Sequence, residues 1–196
     1  MSLFRFGKLL PTSRRQLMRD AVGEWVERTM ARAERRVVAK RYLRPPGALP
    51  EVGFLAACTR CGECLDVCPP KALVKVPANG GLAAGTPHIV AYSQPCAACP
   101  DMPCAAVCPT EALTVPEHGW SGHRLGVLEF LPERCITYRG NSCNVCARAC
   151  PMGEAALVMD EAGHPVLRIE GCVGCGMCVQ ACVSTPKSFK LTPAED

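Results

Sequence analysis

Cysteine thiolates are soft, electron-rich metal ligands, and this 196-residue chain spaces sixteen of them in four groups of four. The groups are Cys58, Cys61, Cys64, Cys68; Cys96, Cys99, Cys104, Cys108; Cys135, Cys143, Cys146, Cys150; and Cys172, Cys175, Cys178, Cys182, with no cysteine left over. The first (CTRCGECLDVCP) and fourth (CVGCGMCVQAC, then Val183) have the spacing C-x2-C-x2-C-x3-C of bacterial ferredoxin loops. Three cysteines three apart let one loop wrap three corners of a cubane, and the fourth points at a different cluster. The second group, C-x2-C-x4-C-x3-C, carries Pro100 and Pro103 in its widened gap; the third, C-x7-C-x2-C-x3-C, carries Tyr138-Arg139-Gly140-Asn141. Both keep the closing C-x3-C-P. Gly62, Gly174 and Gly176 permit tight turns close to inorganic sulfide. Each 4Fe–4S cluster takes four thiolates, so the count fits four clusters and marks the chain as an electron conductor.

Rival uses of these cysteines fit less well. Structural zinc takes thiolate pairs in separated knuckles rather than three evenly spaced cysteines and a fourth. A disulfide framework suits an even count but not four repeats of one loop. A radical S-adenosylmethionine site needs C-x3-C-x2-C, a spacing that does not occur here. His88, His118, His123 and His164 sit in polar loops or at strand ends and read as structural or solvated. There is no P-loop, no dinucleotide fingerprint and no nucleophile constellation, so no catalytic residue is expected.

The elements that must position the cysteines are short. Aromatics are scarce and the length suits one compact domain or two small ones, held together by the clusters as staples. The formal net charge is +4. Four clusters of about 2− each, counting their thiolates, would bring the loaded protein to about −4. Residues 1–45 hold 12 Lys or Arg against 4 Asp or Glu, and the rest 10 against 14. A basic arm therefore precedes an acidic body, and without interleaved aromatics a nucleic-acid role is not expected. No apolar run reaches the length of a membrane span.

Ser13 to about Arg41 reads as one long amphipathic helix, capped by Ser13, with Met18, Val22, Trp25, Val26, Met30, Ala33 and Val37 recurring at three and four. It would dock on the body or on a partner, with Trp25 packed; attachment to a membrane surface is the sharper reading. Arg44-Pro45-Pro46-Gly47 stops it and opens a linker. Ser13-Arg14-Arg15-Gln16-Leu17-Met18-Arg19 looks like a twin-arginine export signal, but Asp20, Glu24, Glu27, Arg28 and Arg32 occupy the stretch that should be apolar. The expected location is therefore cytoplasmic, with peripheral membrane association as an extension and the periplasm as the alternative. Ala156–Asp160 and Pro165–Ile169 read as a hairpin about the turn Glu161–His164, and His88–Ser93 and Gly126–Leu131 as further strands.

Length does not choose which groups share clusters, since the gaps between groups are similar. Motif shape does: the first and fourth are regular, the second and third stretched. Pairing like with like nests an inner ferredoxin (88–155) within an outer one (55–80 plus 156–191), inside a body of 46–196 that follows an arm of 1–45. The expected sets are Cys58, Cys61, Cys64 with Cys182; Cys172, Cys175, Cys178 with Cys68; Cys96, Cys99, Cys104 with Cys150; and Cys135, Cys143, Cys146 with Cys108. The alternative pairs the first group with the second and the third with the fourth. The fold class is α+β, loop-rich, with tandem or nested ferredoxin-like units.

LRPPGA at Leu43–Ala48, GLAAGTPHIVA at Gly81–Ala91, PCAACPDMPCAAVCP at Pro95–Pro109 and the stretched third motif ending CNVCARACP, together with the first cysteine motif, resemble the MauM/NapG family of ferredoxin-type proteins over roughly Tyr42 to Leu191. The resemblance implies a carrier of single electrons through four 4Fe–4S clusters, between a membrane quinol dehydrogenase or another donor and a reductase or its redox partner. Nested pairing is also what related four-cluster subunits of molybdoenzymes imply. The Ser-Arg-Arg start is similar to NapF-type relatives, which have three cluster motifs. Two other roles stay open: a maturation or assembly factor for a redox enzyme, and a fixed electron-transfer subunit of a larger oxidoreductase.

Overall fold

The computed structural model describes residues 14–37 and 41–194, in two units, Met1–Ala39 and Lys40–Asp196. The boundary expected at residue 45 thus falls six residues earlier. The first unit contributes α1 (Arg14–Val37), rich in the straight-chain residues that lose little rotamer freedom in a helix. Its described part reaches Val37; residues 38–40, before the expected end near Arg41, and the expected cap Ser13 lie outside the described residues. Arg28 pairs with Glu24 one turn back at 3.3 Å, an exposed contact worth only a few tenths of a kcal/mol. Trp25 was expected to pack; it is 67% exposed, and Met18 and Val22 are exposed with it.

In the second unit Leu43–Ala48 is no linker but the middle of the core. Pro45 and Pro46 are fully buried, and Leu43 O accepts the Ile89 N–H at 2.8 Å. Arg44 reaches Glu51 on α2 (Glu51–Ala57) with two hydrogen bonds, at 2.8 and 2.5 Å. Its remaining donors go to Thr86 Oγ1 at 2.9 Å and Pro87 O at 2.8 Å, while its guanidinium lies 4.6 Å over the Phe54 ring. A buried charge survives only when paired and hydrogen-bonded, and here every direction is filled.

Two similar halves follow. In the first, α3 (Glu63–Asp66) and α4 (Pro103–Ala106) are single turns that follow cysteine loops. Between them β1 (Leu73–Lys75) and β2 (Pro87–Ile89) pair antiparallel, Leu73 opposite Ile89. The chain before the first cysteine group meets the chain after the second at the Ala48–Leu113 bridge, with Thr114 N–H donating to Gly47 O. The second half repeats this plan. Its flanking ladder joins β3 (Gly126–Phe130) to β6 (Phe189–Pro193), from Gly126 opposite Pro193 to Phe130 opposite Phe189. Inside it lie α5 (Val145–Ala149), the hairpin of β4 (Leu157–Met159) and β5 (Pro165–Leu167), and α6 (Met177–Ala181). α3 packs on α4, and α5 on α6.

The units are therefore tandem, and the nested division into 55–80 plus 156–191 around 88–155 is corrected. Each ladder closes on its own half, and each pair of adjacent motifs shares one hairpin. A short hairpin brings a motif back against its sequence neighbour, whereas nesting would need the first group to reach the fourth. The hairpin at 157–167 and the strands near 88 and 126 form where expected, within a few residues; β1 and β6 were not anticipated.

The halves join directly. Cys96 N–H donates to Cys175 O at 3.2 Å. Gly176 (φ +87°) and Gly174 (φ +67°) sit at this junction in backbone conformations that side chains resist. A Cβ on Gly176 would come 2.5 Å from Ala91 Cβ, and one on Gly174 would overlap the Gly126 backbone. Glycine here allows both the cysteine loop and the close approach of the halves.

Replacing Glu51 by alanine should leave the Arg44 guanidinium buried without its carboxylate, at a cost of roughly 3–5 kcal/mol. Thr86→Val, which removes a single bond, should cost about 1 kcal/mol. Denaturant unfolding of the iron-loaded protein measures both; equal small losses would show that the Arg44 cluster does not hold the body together.

Candidate metal centres

Each motif carries two thiols ahead of a short helix and the third on it, and the helix delivers the fourth cysteine to a neighbouring site. Four cavities result, each lined by four cysteines. Site I gathers Cys58, Cys61 and Cys64 with Cys108. Site II gathers Cys96, Cys99 and Cys104 with Cys68. Site III gathers Cys172, Cys175 and Cys178 with Cys150, and site IV gathers Cys135, Cys143 and Cys146 with Cys182. All sixteen cysteines expected to act are brought together. The expected partners are not: Cys182 belongs with the third group, Cys68 with the second, Cys150 with the fourth and Cys108 with the first. The three-plus-one rule operates between sequence neighbours, and the regularity of a motif does not choose its partner.

All sixteen thiols are free. The walls are apolar: Phe54, Leu65 and Leu113 at site I, Leu73, Met102 and Trp120 at site II, Leu128, Met152 and Leu157 at site III, Ile136, Val145 and Phe189 at site IV. Among the described residues no three ligands converge as a single metal ion would require. The thiols instead surround a space, which suits a multinuclear centre whose corners are occupied separately. Burial pushes the thiol of Cys104 up to about 12, with Cys96 and Cys68 adding to the rise. Cys175 is pushed up to about 12, again by burial first, partly offset by the Met177 N–H. Such thiols stay protonated until a cationic core replaces their protons, so loading releases protons. Cys108 and Cys182 go the other way. Burial alone would raise them, but backbone N–H groups and the hydroxyls of Thr110 at Cys108, and of Ser188 and Ser184 at Cys182, outweigh it.

The sites form a chain. Cys64 and Cys68 lie one turn apart on and after α3, so they join sites I and II; Cys178 and Cys182 join III and IV through α6. The Cys96–Cys175 backbone bond joins II to III. The spatial order is therefore I, II, III, IV, with I and IV at the ends.

The histidines line none of the four thiol cavities. His123 Nε2 accepts the Gly47 N–H at 3.0 Å, His88 Nδ1 lies 3.1 Å from Val74 O, and His164 stacks on Tyr138 at 4.0 Å. Sequence reasoning missed Trp120, whose Nε1–H donates to Cys99 O at 2.8 Å, and the hydroxyls beside the thiols. Their signal was local: Thr110 and Ser184 each stand two residues after a fourth cysteine, and Thr137 two after a first.

Two family models, each described as a 4Fe-4S dicluster domain, match residues 57–112 and 128–183, the same halves that the ladders close. The Ferredoxin-type protein NapG of Escherichia coli (strain K12) is 36% identical over 162 residues, 77% of this chain and 70% of that protein. The Methylamine utilization ferredoxin-type protein MauM of Methylophilus methylotrophus is 39% identical over 165 residues, 80% of this chain and 73% of that protein. A Ferredoxin-type protein NapF of Haemophilus influenzae is 31% identical over 150 residues, 71% and 74% of the two chains.

Double substitution tests the pairing. Cys182→Ala with Cys143→Ala strikes one site and should remove about four irons per chain, whereas Cys182→Ala with Cys61→Ala strikes two and should remove about eight. Nesting predicts the reverse, so the iron counts of the two variants decide.

Proposed function

The chain belongs to the NapG and MauM family of ferredoxin-type iron–sulfur proteins, electron carriers rather than enzymes, and we propose that it relays single electrons along four 4Fe–4S clusters held by sites I to IV. The clusters, when bound, supply the one-electron chemistry. The protein supplies everything else. Its sixteen thiols provide the ligands. The apolar walls exclude water, and the packed helices and the junction fix the distances between sites. The observation that carries this reading is the Cys96–Cys175 backbone contact. Without it the two halves would be separate two-cluster carriers; with it the sites run without a break from one end of the body to the other. Cys61 is exposed at site I, and exposed Tyr138 and Val183 flank site IV. These two ends are where donor and acceptor proteins would meet the chain. A quinol dehydrogenase and a reductase subunit are partners of suitable chemistry.

A second reading, a fixed electron-transfer subunit, is favoured by α1, whose Met18, Val22 and Trp25 are exposed. Such a helix suits a partner that holds the carrier in place. The acidic residues Asp20, Glu24 and Glu27 stand where an export signal would be apolar, which suits a cytoplasmic location, and they oppose attachment to an anionic membrane surface.

Iron and acid-labile sulfide should each come to about sixteen per chain, and the reduced protein should raise turnover of its pre-assembled partner enzyme. A value near eight overturns the four-cluster relay, and no gain in turnover overturns the carrier. Copurification with a partner at equal stoichiometry would favour the fixed subunit over the free carrier.

A further inference from the structure

Among the described residues, hydroxyl groups reach the sulfurs of the two end sites and not those of the middle pair. At site IV, Thr137 Oγ1 lies 3.2 Å from Cys135 Sγ. Ser188, fully buried, places Oγ 3.6 Å from Cys182 Sγ. Ser184, also buried, lines the same cavity beside Cys182. At site I, Thr110 Oγ1 lies 3.8 Å from Cys108 Sγ. The hydrogen bonds to sulfur found at site II come from backbone: Ala72 N–H to Cys68 at 3.3 Å and Ala98 N–H to Cys96 at 3.4 Å. The position two residues after the fourth cysteine repeats the contrast. It is Thr110 or Ser184 where that cysteine serves an end site, and Pro70 or Met152 where it serves a middle site. Two after the first cysteine of a group, Thr137 stands where the others have Arg60, Ala98 and Gly174.

A hydroxyl beside a ligating thiolate donates its hydrogen bond to sulfur. One-electron reduction adds one negative charge that spreads onto the thiolates; a reduced donor protein gives the electron, no proton moves, and no bond to sulfur breaks. Donors to sulfur stabilise that added charge and burial opposes it, so hydroxyls added to the backbone donors favour reduction. At site II three of the four cysteines are buried. We propose that the two end sites are stronger electron acceptors than the two middle sites, with Thr137, Ser184 and Ser188 making site IV the strongest. Electrons then reside at the ends of the relay and cross the middle pair only in transit. These hydroxyls are positioning groups for electrons, acting through the cysteines that they touch. The inference rests on the four-cluster relay proposed above.

The test is a potentiometric titration of the iron-loaded full chain with dithionite, followed by electron paramagnetic resonance, after iron content has been measured. Thr137→Val and Ser184→Ala/Ser188→Ala should each lower the midpoint of the same step, the one reduced first. The ratio of reduced to oxidised site at fixed potential should fall up to about tenfold, which is about 59 mV for one electron. Thr110→Val should lower the second step, and Thr137→Ser, which keeps the hydroxyl, should leave the midpoint in place. Unmoved midpoints overturn the proposal, as does movement of the last step instead of the first or equal movement of all four. If Thr137→Val alone loses iron, Ser184→Ala/Ser188→Ala carries the test. Iron far below sixteen in the unsubstituted chain overturns the four-cluster reading beneath it.

Discussion

Four thiols held around one apolar cavity repel each other as soon as they ionise, and the body is organised around that conflict. Burial drives Cys64, Cys96 and Cys146 up to about 11. The most enclosed, Cys178, is raised furthest, by burial and then by its neighbours Cys175, Cys172 and Cys150. Only a cationic core resolves the arrangement, because it replaces the protons and turns mutual repulsion into shared ligation. The short elements follow from this. A helix of one turn or an isolated two-stranded ladder has little stability of its own, so each depends on the cavity it borders.

The same constraint explains why the halves must touch. The thiol cavities occupy space that a protein of this size would otherwise fill with large side chains, so apolar packing is rationed to a few positions: Phe54, Met102 and Leu113 in one cluster, Leu128, Val179 and Phe189 in another. The first cluster runs across the junction through Leu125 and Val173. Arg44 adds a polar anchor that ties the segment before the first motif to α2 and to the start of β2. It thereby joins two stretches, Leu43–Ala48 and Gly81–Ala91, that carry the family resemblance but hold no cysteine. Both stretches serve the core rather than the ligand chemistry.

Much of the site was legible in the sequence, because spacing along the chain is itself the ligand geometry: three cysteines per loop, then one on the next turn. The hairpin at Leu157–Leu167 was legible for a similar reason, since its partners flank a turn. Partner choice between motifs was not. It depends on β3 meeting β6, whose strands lie about sixty residues apart, and on Ala48 meeting Leu113; neither leaves a local pattern. The Arg44 cluster was hidden in the same way. Arg44-Pro45-Pro46-Gly47 has the composition of a linker, and only the distant Glu51, Thr86 and Pro87 make it a core. Trp25 failed in the opposite sense: its helical spacing is sound, but periodicity identifies a face and not what covers it.

Tandem order leaves open which ends of the two halves meet, and the packing decides it. Each half, taken alone, has one site served by a fourth cysteine from the later motif and one served from the earlier. The halves associate so that their like sites meet: site II of the first half, with Cys68 from the earlier motif, abuts site III of the second, with Cys150 from the earlier motif of its own half. The sites that take their fourth ligand from the later motif, through Cys108 and Cys182, are left at the ends. Two halves built to one plan therefore meet head to head through the loops carrying Cys96 and Cys175. Glycine at 176 permits the contact, because a Cβ there would strike Ala91. The close packing that forbids a Cβ at 176 brings sites II and III together, so that each end site has a single neighbouring site.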